Sequence, residues 1–270
     1  TRRAAAPFWV PARPSASKAM WVAGTLMSRA AGTASHIQLL PPQALTVASR
    51  VAATDEIRTS GSGRVALRRP DGLEVRLDAD TQLAFANSER ANLATGSVYV
   101  DAGAAGSGSK AFVVDTPYGS VRHLGTQYVA SVRDGVLQVA VREGSISIER
   151  GQLPVVARAG ESLAVREDGS VARSQVDSHG QAWHWVAEVA PEFAIEGRSL
   201  DEFLAWAGRE TGRRIVYTSA DAAREAEQTK LKGSTSGLSP EAAVAAVFAS
   251  QPALHHVIAG SQIRVEHAGR

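Results

Sequence analysis

The sequence predicts a mainly β protein, an antiparallel β-sandwich or short β-solenoid, followed by a small α+β module. Short runs of alternating apolar and polar residues, typical of strands with one buried face, fill the region from about residue 46 to residue 175. Turn-forming pairs that contain glycine separate these runs. After about residue 175 the apolar residues recur at helical spacing instead. Hydrophobic residues make up 44% of the 270 residues, which is enough to build a core in each part.

The strands of the β region are predicted from period-two alternation. The run Leu73 to Asp78 alternates strictly between apolar and polar residues, and the run Leu137 to Arg142 does the same except at Ala140. Shorter runs with the same pattern are 98–100, 146–148 and 163–165. The pairs that separate the runs are Asp71-Gly72, Asp134-Gly135, Glu143-Gly144 and Asp168-Gly169. Many short strands joined by such turns indicate a sandwich, a barrel or a solenoid.

A helix is predicted to begin at Ser199, because Ser199 and Glu202 have the spacing of a capping box. Its apolar residues fall on one face, and Gly212 is placed to end it. The residues of this face are Leu200, Phe203, Leu204 and Ala207. A strand is predicted directly afterwards, from Arg214 to Thr218.

A second helix is predicted at Ser239-Pro240-Glu241, since proline suits the first turn of a helix. Two strands, 254–259 and 262–266, follow around Gly260-Ser261. The predicted order is strand–helix–strand and then strand–helix–strand–strand, with the helices on one face of a small sheet.

Composition excludes several classes of function. The chain has no cysteine, so it has no disulfide, thiolate nucleophile or cysteine-based zinc site. A net charge of +2 and 6% aromatic residues argue against a nucleic-acid-binding protein. The adjacent His255 and His256 would point to opposite faces of a strand, so we expect no shared metal ion there. Neither a cofactor nor a catalytic residue is predicted.

Residues 1–45 are expected to be a remnant of a signal or membrane-anchor region. The apolar run from Ala19 to Met27 is shorter than the roughly 20 residues of a membrane-spanning helix. Basic residues precede this run, as they do in a signal peptide, but no clean cleavage site follows it. A short buried helix is an equal alternative, so membrane anchoring stays open.

Five ordered blocks of the β region form a recognisable pattern. The longest is the run from Phe112 to Tyr128 (FVVDTPYGSVRHLGTQY). The other blocks are TDEIRT at 54–59, VALRRPDG at 65–72, LATGSVYVD at 93–101 and VAVREG at 139–144. In this order the blocks resemble the FecR family of envelope signalling regulators. The resemblance covers roughly residues 46–165 and implies a β domain.

The C-terminal part contains four further blocks, FAIEGRSL at 193–200, TGRRIVY at 211–217, LKG at 231–233 and LSPEAA at 238–243. These blocks resemble the small secretin-and-TonB short domain that often closes FecR-like proteins. The predicted domains are therefore the N-terminal segment 1–45, the FecR-like β domain 46–175, a tryptophan-containing linker 176–190 and the α+β module 191–270.

The resemblance implies a non-enzymatic, periplasmic signalling protein of a Gram-negative bacterium, with an inner-membrane anchor as one possibility. FecR-like proteins relay the state of an outer-membrane TonB-dependent receptor, through its N-terminal signalling domain, to an extracytoplasmic-function sigma factor. Iron-siderophore uptake is the usual target of this regulation. No segment before residue 46 resembles a sigma-binding region, so a sigma factor is expected to bind only through a segment not visible here.

The candidate partner-binding residues are Val257, Ile258, Ile263 and Val265 in the final hairpin, because a terminal strand is easily left at a sheet edge. A partner strand would pair with such an edge. The alternatives are a stand-alone FecR-domain protein that binds cell wall and, less favoured, a β-solenoid carbohydrate-active enzyme. The enzyme would need a row of carboxylates or basic residues on one open face of the β domain, which the sequence does not display. Asp78 and Asp80 are instead expected to begin a solvated turn.

Overall fold

The computed structural model describes six ranges of the chain in full and the backbone of four short strands before them. The ranges are 56–61, 63–69, 71–103, 112–123, 125–151 and 153–267, and the short strands are 21–24, 37–40, 43–44 and 50–51. Residues 21–24 of the expected signal or anchor run form one of these short strands, and the rest of that run and most of the loop 102–110 lie outside the described residues. The chain forms two compact units, of which the second is Asp177–Arg270.

The first unit is built from seventeen described strands that belong to one curled sheet. They are β1 (Trp21–Gly24), β2 (Ile37–Leu40), β3 (Gln43–Ala44), β4 (Arg50–Val51), β5 (Glu56–Thr59), β6 (Val65–Arg68), β7 (Glu74–Leu77), β8 (Gln82–Asn87), β9 (Arg90–Asp101), β10 (Val113–Thr116), β11 (Gly119–His123), β12 (Gln127–Arg133), β13 (Val136–Glu143), β14 (Ser145–Glu149), β15 (Val155–Arg158), β16 (Glu161–Arg166) and β17 (Val171–Gln175). Neighbouring strands are antiparallel except for β9 and β10. The predicted mainly β fold is confirmed.

The curled sheet folds back on itself to give two layers that share strand β9. The first layer has the order β4-β1-β6-β7-β9-β12-β13-β16-β17. The second layer has the order β3-β2-β5-β8-β9-β10-β11-β14-β15. Strand β9 pairs in the second layer as far as Thr95 and in the first layer from Gly96 onward. Strands that change sheets in this way form the corners of sandwiches.

Alternate residues of both layers point into one shared core. Its members include Ile57, Leu83 and Ile148 of the second layer and Val75, Val139 and Leu163 of the first, each at most 1% exposed. The structure therefore selects the sandwich from the two architectures that the sequence left open. A single core between two faces is the arrangement that buries one side of every alternating strand.

Glycines stand where the chain crosses between the layers. Gly144 connects β13 of the first layer to β14 of the second and has φ of +72°. A Cβ at this position would collide with the carbonyl oxygen of Gly125, and Thr126 Oγ1 donates to the Ser145 carbonyl oxygen at 2.8 Å. Glu143-Gly144 is thus a layer crossing and not a hairpin turn. The other three predicted turn pairs lie in the turns that join β6 to β7, β12 to β13 and β16 to β17.

His123 at the end of β11 is buried and binds backbone. Its Nε2 accepts the Phe112 N–H at 2.8 Å, while Nδ1 has no hydrogen-bond partner among the described residues. Burial, followed by the nearby Arg69 and Arg122 guanidinium groups, lowers the pKa of His123 to about 4. The imidazole is therefore neutral at physiological pH, with its proton on Nδ1.

The second unit contains four α-helices, a short 3₁₀ helix and a three-stranded sheet among its described residues. After the 3₁₀ helix (Gln181–Trp183) come α1 (His184–Glu188), α2 (Leu200–Thr211), β18 (Arg214–Tyr217), α3 (Ala220–Gln228), α4 (Pro240–Ala249), β19 (Leu254–Ala259) and β20 (Gln262–His267). The sheet order is β18-β20-β19, with β18 parallel and β19 antiparallel to β20. Ile263 and Val265 of β20 are fully buried in a core that includes Leu204 and Val244 of the helices.

The order of elements predicted for this unit is wrong in two respects. The sequence pattern predicts five strands, whereas the described residues of this unit form three, because no strand of the unit lies before α2 or directly before α4. Residues 220–228 form α3, whereas the sequence pattern predicts only two helices. The helix was missed because its buried residues, Ala222 and Ala226, are small and give a weak apolar pattern. The 3₁₀ helix and α1 lie within the predicted linker, where Trp183 is buried and His184 is 76% exposed.

The predicted capping box of α2 is present. Ser199 Oγ accepts the Glu202 N–H at 3.2 Å, and Glu202 Oε2 accepts the Ser199 N–H at 2.9 Å. Hydrogen bonds from Arg198 and then from the Ser199 backbone lower the pKa of Glu202 to about 2. The box therefore persists through the mildly acidic range. Gly212 ends the helix with φ of +67°, as expected.

We expect Ser199→Ala to lower the free energy of unfolding of the second unit by about 1 kcal/mol, because one N-terminal amide of α2 loses its acceptor. Urea unfolding followed by the helical circular dichroism signal measures this loss. Ser261→Ala is the matched control, since Ser261 is exposed and starts no helix. Equal stability of the two variants would contradict the capping role.

Candidate functional site

Strand β19 lies at an edge of the three-stranded sheet. It pairs with β20 on one side, and none of the described residues pairs with its other side. Its sequence, LHHVIA, contains neither proline nor lysine, the residues that often protect an open edge. Two large apolar side chains of this strand are exposed, Val257 at 44% and Ile258 at 40%.

The hairpin register shows which backbone groups face the open side. A two-residue turn, Gly260-Ser261, joins β19 to β20, and such a turn is closed by a hydrogen-bonded pair, here Ala259 and Gln262. Hydrogen-bonded and non-hydrogen-bonded pairs alternate along an antiparallel ladder. His256 and Ile258 therefore occupy non-hydrogen-bonded positions. Their N–H and C=O groups point away from β20 and are available to an added strand.

Side chains on the two faces of β19 have different surroundings. On the helix-covered face, the His256 ring lies 4.5 Å from the Phe248 ring of α4, centroid to centroid. Burial, and then the neighbouring His255, lowers the pKa of His256. On the opposite face, His255 Nε2 lies 2.9 Å from Glu266 Oε1. An added strand would thus meet an apolar, aromatic face on one side and a polar face on the other.

The four predicted site residues do not form one surface. Val257 and Ile258 are exposed on the edge strand, whereas Ile263 and Val265 are buried on β20. The expectation that the terminal strand lies at an edge is wrong, because β18 pairs with β20 in parallel and makes β20 central. The site-lining residues that sequence reasoning missed are His256 and Phe248. The hairpin register places His256 on the same face as the buried Val265, and the helical spacing of α4 places Phe248 on its buried face, so these two signals together would have indicated both residues.

The edge formed by strand β15 of the first unit is less accessible to an added strand. The Val156 carbonyl oxygen on edge strand β15 accepts a hydrogen bond from Arg173 Nη2 at 2.8 Å. The same arginine is also paired with Glu161 at 2.8 Å. Val156 and Val171 are exposed, but this arginine lies across the edge and limits strand addition there.

The two carboxylates considered for catalysis, Asp78 and Asp80, bind nearby groups of the protein and stabilise a turn. Asp78 Oδ1 lies 2.7 Å from Arg64 Nε, and Asp80 Oδ1 accepts the Gly61 N–H at 3.2 Å. Asp80 has φ of +51°, as expected for a turn residue. In the described part of the chain, no group of three or more histidine and acidic side chains is arranged to hold a metal ion.

Part of the first unit matches a known protein family. The model of the family described as FecR protein matches residues 55–147, about a third of the chain. Residues 55–147 are a FecR domain. This range lies inside the β region that the sequence blocks indicated, and it spans β5 to most of β14.

Two crystal structures of a candidate anti-sigma factor from Parabacteroides distasonis ATCC 8503, at 1.65 and 2.50 Å resolution, are similar to the chain. In each case the identity is 17% and the TM-score 0.43, with 79% of this chain and 99% of the other covered. No curated protein matches the chain. Across the described ranges, no helix has the length and hydropathy needed to span a membrane.

Residues in the sequence blocks of the FecR domain stabilise the points where the chain crosses between the two layers. Thr59 Oγ1 accepts the Thr81 N–H at 2.9 Å, and Thr81 Oγ1 accepts the Ser97 N–H at 2.9 Å. These bonds fix the corner at which β9 changes layers beside Gly96. The blocks that carry the family resemblance therefore specify how the chain passes between layers, and the candidate binding edge lies in the second unit.

Proposed function

We propose that this FecR-domain protein is a non-enzymatic regulator of envelope signalling. It relays the state of an outer-membrane TonB-dependent receptor to an extracytoplasmic-function sigma factor, in the manner of iron-siderophore uptake systems. The observation that carries the proposal is the family match at residues 55–147. The open edge β19 supports it, because a relay protein needs a surface on which a protein partner can bind.

The receptor contact is assigned to β19. A strand from the receptor's N-terminal signalling domain pairs with the outward backbone groups of His256 and Ile258 and extends the sheet. Val257 and Ile258 supply apolar contact on the two faces of the new strand pair. Backbone pairing gives affinity, and the flanking side chains give specificity.

The remaining parts of the proposal concern location and the sigma factor. The described units are placed in the periplasm of a Gram-negative bacterium, where a receptor signalling domain is accessible, and an inner-membrane anchor holds them there. The sigma factor binds through a segment other than the described residues. No cofactor takes part, since relay by protein contact requires none.

Titration of the purified chain with the isolated signalling domain of a TonB-dependent receptor from the same genome tests the proposal. Saturable binding by calorimetry, with protection of β19 from hydrogen exchange, is the expected result. Cell-wall sacculi are the second probe in the same experiment. Sedimentation of the chain with sacculi, together with no receptor binding, would replace the relay by the alternative of a stand-alone cell-wall-binding protein.

Ile258→Pro is expected to weaken binding of the receptor domain by at least about tenfold, because proline removes the outward N–H of the edge. The hairpin itself is retained, since that N–H does not bond β20. Ile258→Thr is the matched control: it removes a similar apolar contact but keeps the N–H. Equal losses in both variants would show that side-chain contact, and not strand addition, holds the partner.

A further inference from the structure

The face of the three-stranded sheet opposite the helices carries a row of three exposed or half-exposed side chains. The register aligns Val216 of β18, Arg264 of β20 and Val257 of β19 across the sheet. Arg214 lies in the next row, two residues before Val216 on the same strand. Both arginines are exposed, and they point away from the core because Ile215 and Ile263 point into it.

The two arginines differ from their charged neighbours in having no carboxylate partner within the described residues. Arg213 Nη1 lies 2.5 Å from Glu241 Oε1 on another part of the unit. Glu266, the acidic residue of the face, lies 2.9 Å from His255. Arg264 therefore remains unpaired at the centre of the sheet, with Arg214 diagonally beside it. Val216 and Val257 lie on either side of Arg264, so the charged side chain has apolar neighbours on both adjacent strands.

We propose that the strand which adds to β19 carries a carboxylate on the face that it shares with Arg264, so that this arginine selects an acidic partner strand. Arg214 adds to the same positive field. The inference rests on the proposed strand addition at β19 and specifies the chemistry of the partner. The partner strand has acidic residues on one face and apolar residues on the other, where it meets Ile258 and Phe248.

The geometry of an extended sheet places the two charges within reach of each other. The added strand lies one strand spacing beyond β19, and Arg264 lies one spacing before it, so about 10 Å separates the two backbones. Val257 occupies the position between them. Its short side chain leaves room for an arginine and a glutamate to meet above it, and a bidentate pair has the geometry for selectivity.

Three short synthetic peptides test this inference on the full chain. Each has valine at alternate positions and glutamate, glutamine or lysine at the positions between, so that only the charge of one face changes. Binding is measured by fluorescence anisotropy at low and high salt. The glutamate peptide is expected to bind roughly tenfold more tightly than the lysine peptide at low salt, with a smaller ratio at high salt.

Arg264→Glu is expected to reverse this order, so that the lysine peptide binds best. Arg224→Glu is the matched control, because it changes the net charge equally from helix α3, and it should leave the order unchanged. Equal binding of the three peptides to both the native chain and Arg264→Glu would overturn the charge selection while the strand addition stands. Absence of binding by every peptide, or binding that survives Ile258→Pro, would instead overturn the strand addition.

Discussion

Gly96→Ala is expected to lower the free energy of unfolding of the FecR domain by more than about 4 kcal/mol. Gly96 has φ of +91° at the corner where β9 changes layers. A Cβ there would lie 2.7 Å from the Asp80 carbonyl oxygen and would collide with the Thr81 backbone. Thr81 cannot move aside without breaking its hydrogen bonds to Thr59 and Ser97. The substitution therefore combines a backbone penalty with a steric clash.

Gly135→Ala separates these two contributions. Gly135 has φ of +75° in the β12–β13 turn, and a Cβ there would meet nothing within 4 Å. Only the backbone penalty of about 1 kcal/mol applies to this variant. Guanidinium unfolding followed by hydrogen exchange of FecR-domain peptides measures both variants. Similar losses would show that the crossing at Gly96 relaxes easily, contrary to the clash described here.

His123→Gln is expected to abolish a loss of stability that the native FecR domain shows in acid. The unfolded histidine takes up a proton near pH 6.5, whereas burial and the two arginines keep the folded pKa at about 4. Above pH 6.5 both states are neutral, so this group gives no pH dependence. As the pH falls from 6.5 to 4 the unfolded state gains the proton first. Native stability then falls by about 1.4 kcal/mol per pH unit, to a total of about 3 kcal/mol.

The glutamine variant keeps the structural role of His123 without its titration. Its amide oxygen can accept the Phe112 N–H that Nε2 accepts in the native chain. Unfolding free energies of the two proteins at pH 7.5, 6, 5 and 4.5 give the pH-dependent difference directly. His184→Gln serves as the control, because the His184 side chain is 76% exposed. A native-minus-variant difference that stays constant with pH would contradict the buried neutral histidine.

Local signals account for the elements that were predicted correctly. The capping box at Ser199 and Gly212 at the opposite end determine α2 within a stretch of fourteen residues. The hairpin of β19 and β20 follows from alternation around Gly260-Ser261 in the same way. Helix α3 has a capping serine, Ser219, but alanine fills its buried positions, so the pattern of large apolar residues that predicts a helix is absent.

The binding edge depends on a contact between residues distant in sequence, which local patterns do not encode. Ile215 pairs with Ile263, and this parallel pairing places β20 at the centre and leaves β19 at the edge. The same distant pairing turns Ile263 and Val265 into core residues while Val257 and Ile258 remain exposed. It also aligns Arg264 with Val216 and Val257, a row that belongs to three separate strands.

The sequence by itself determined the β-rich region, the helix caps, the terminal hairpin and the FecR family, because periodicity, turn residues and ordered motif blocks are local properties. Only the tertiary structure decided that the β region is a two-layer sandwich with glycine crossings. It alone decided that His123 is buried beside Arg69 and Arg122, and which strand of the second unit is free. Strand order and burial depend on which distant segments pair, and the free energy of that pairing comes from the whole core.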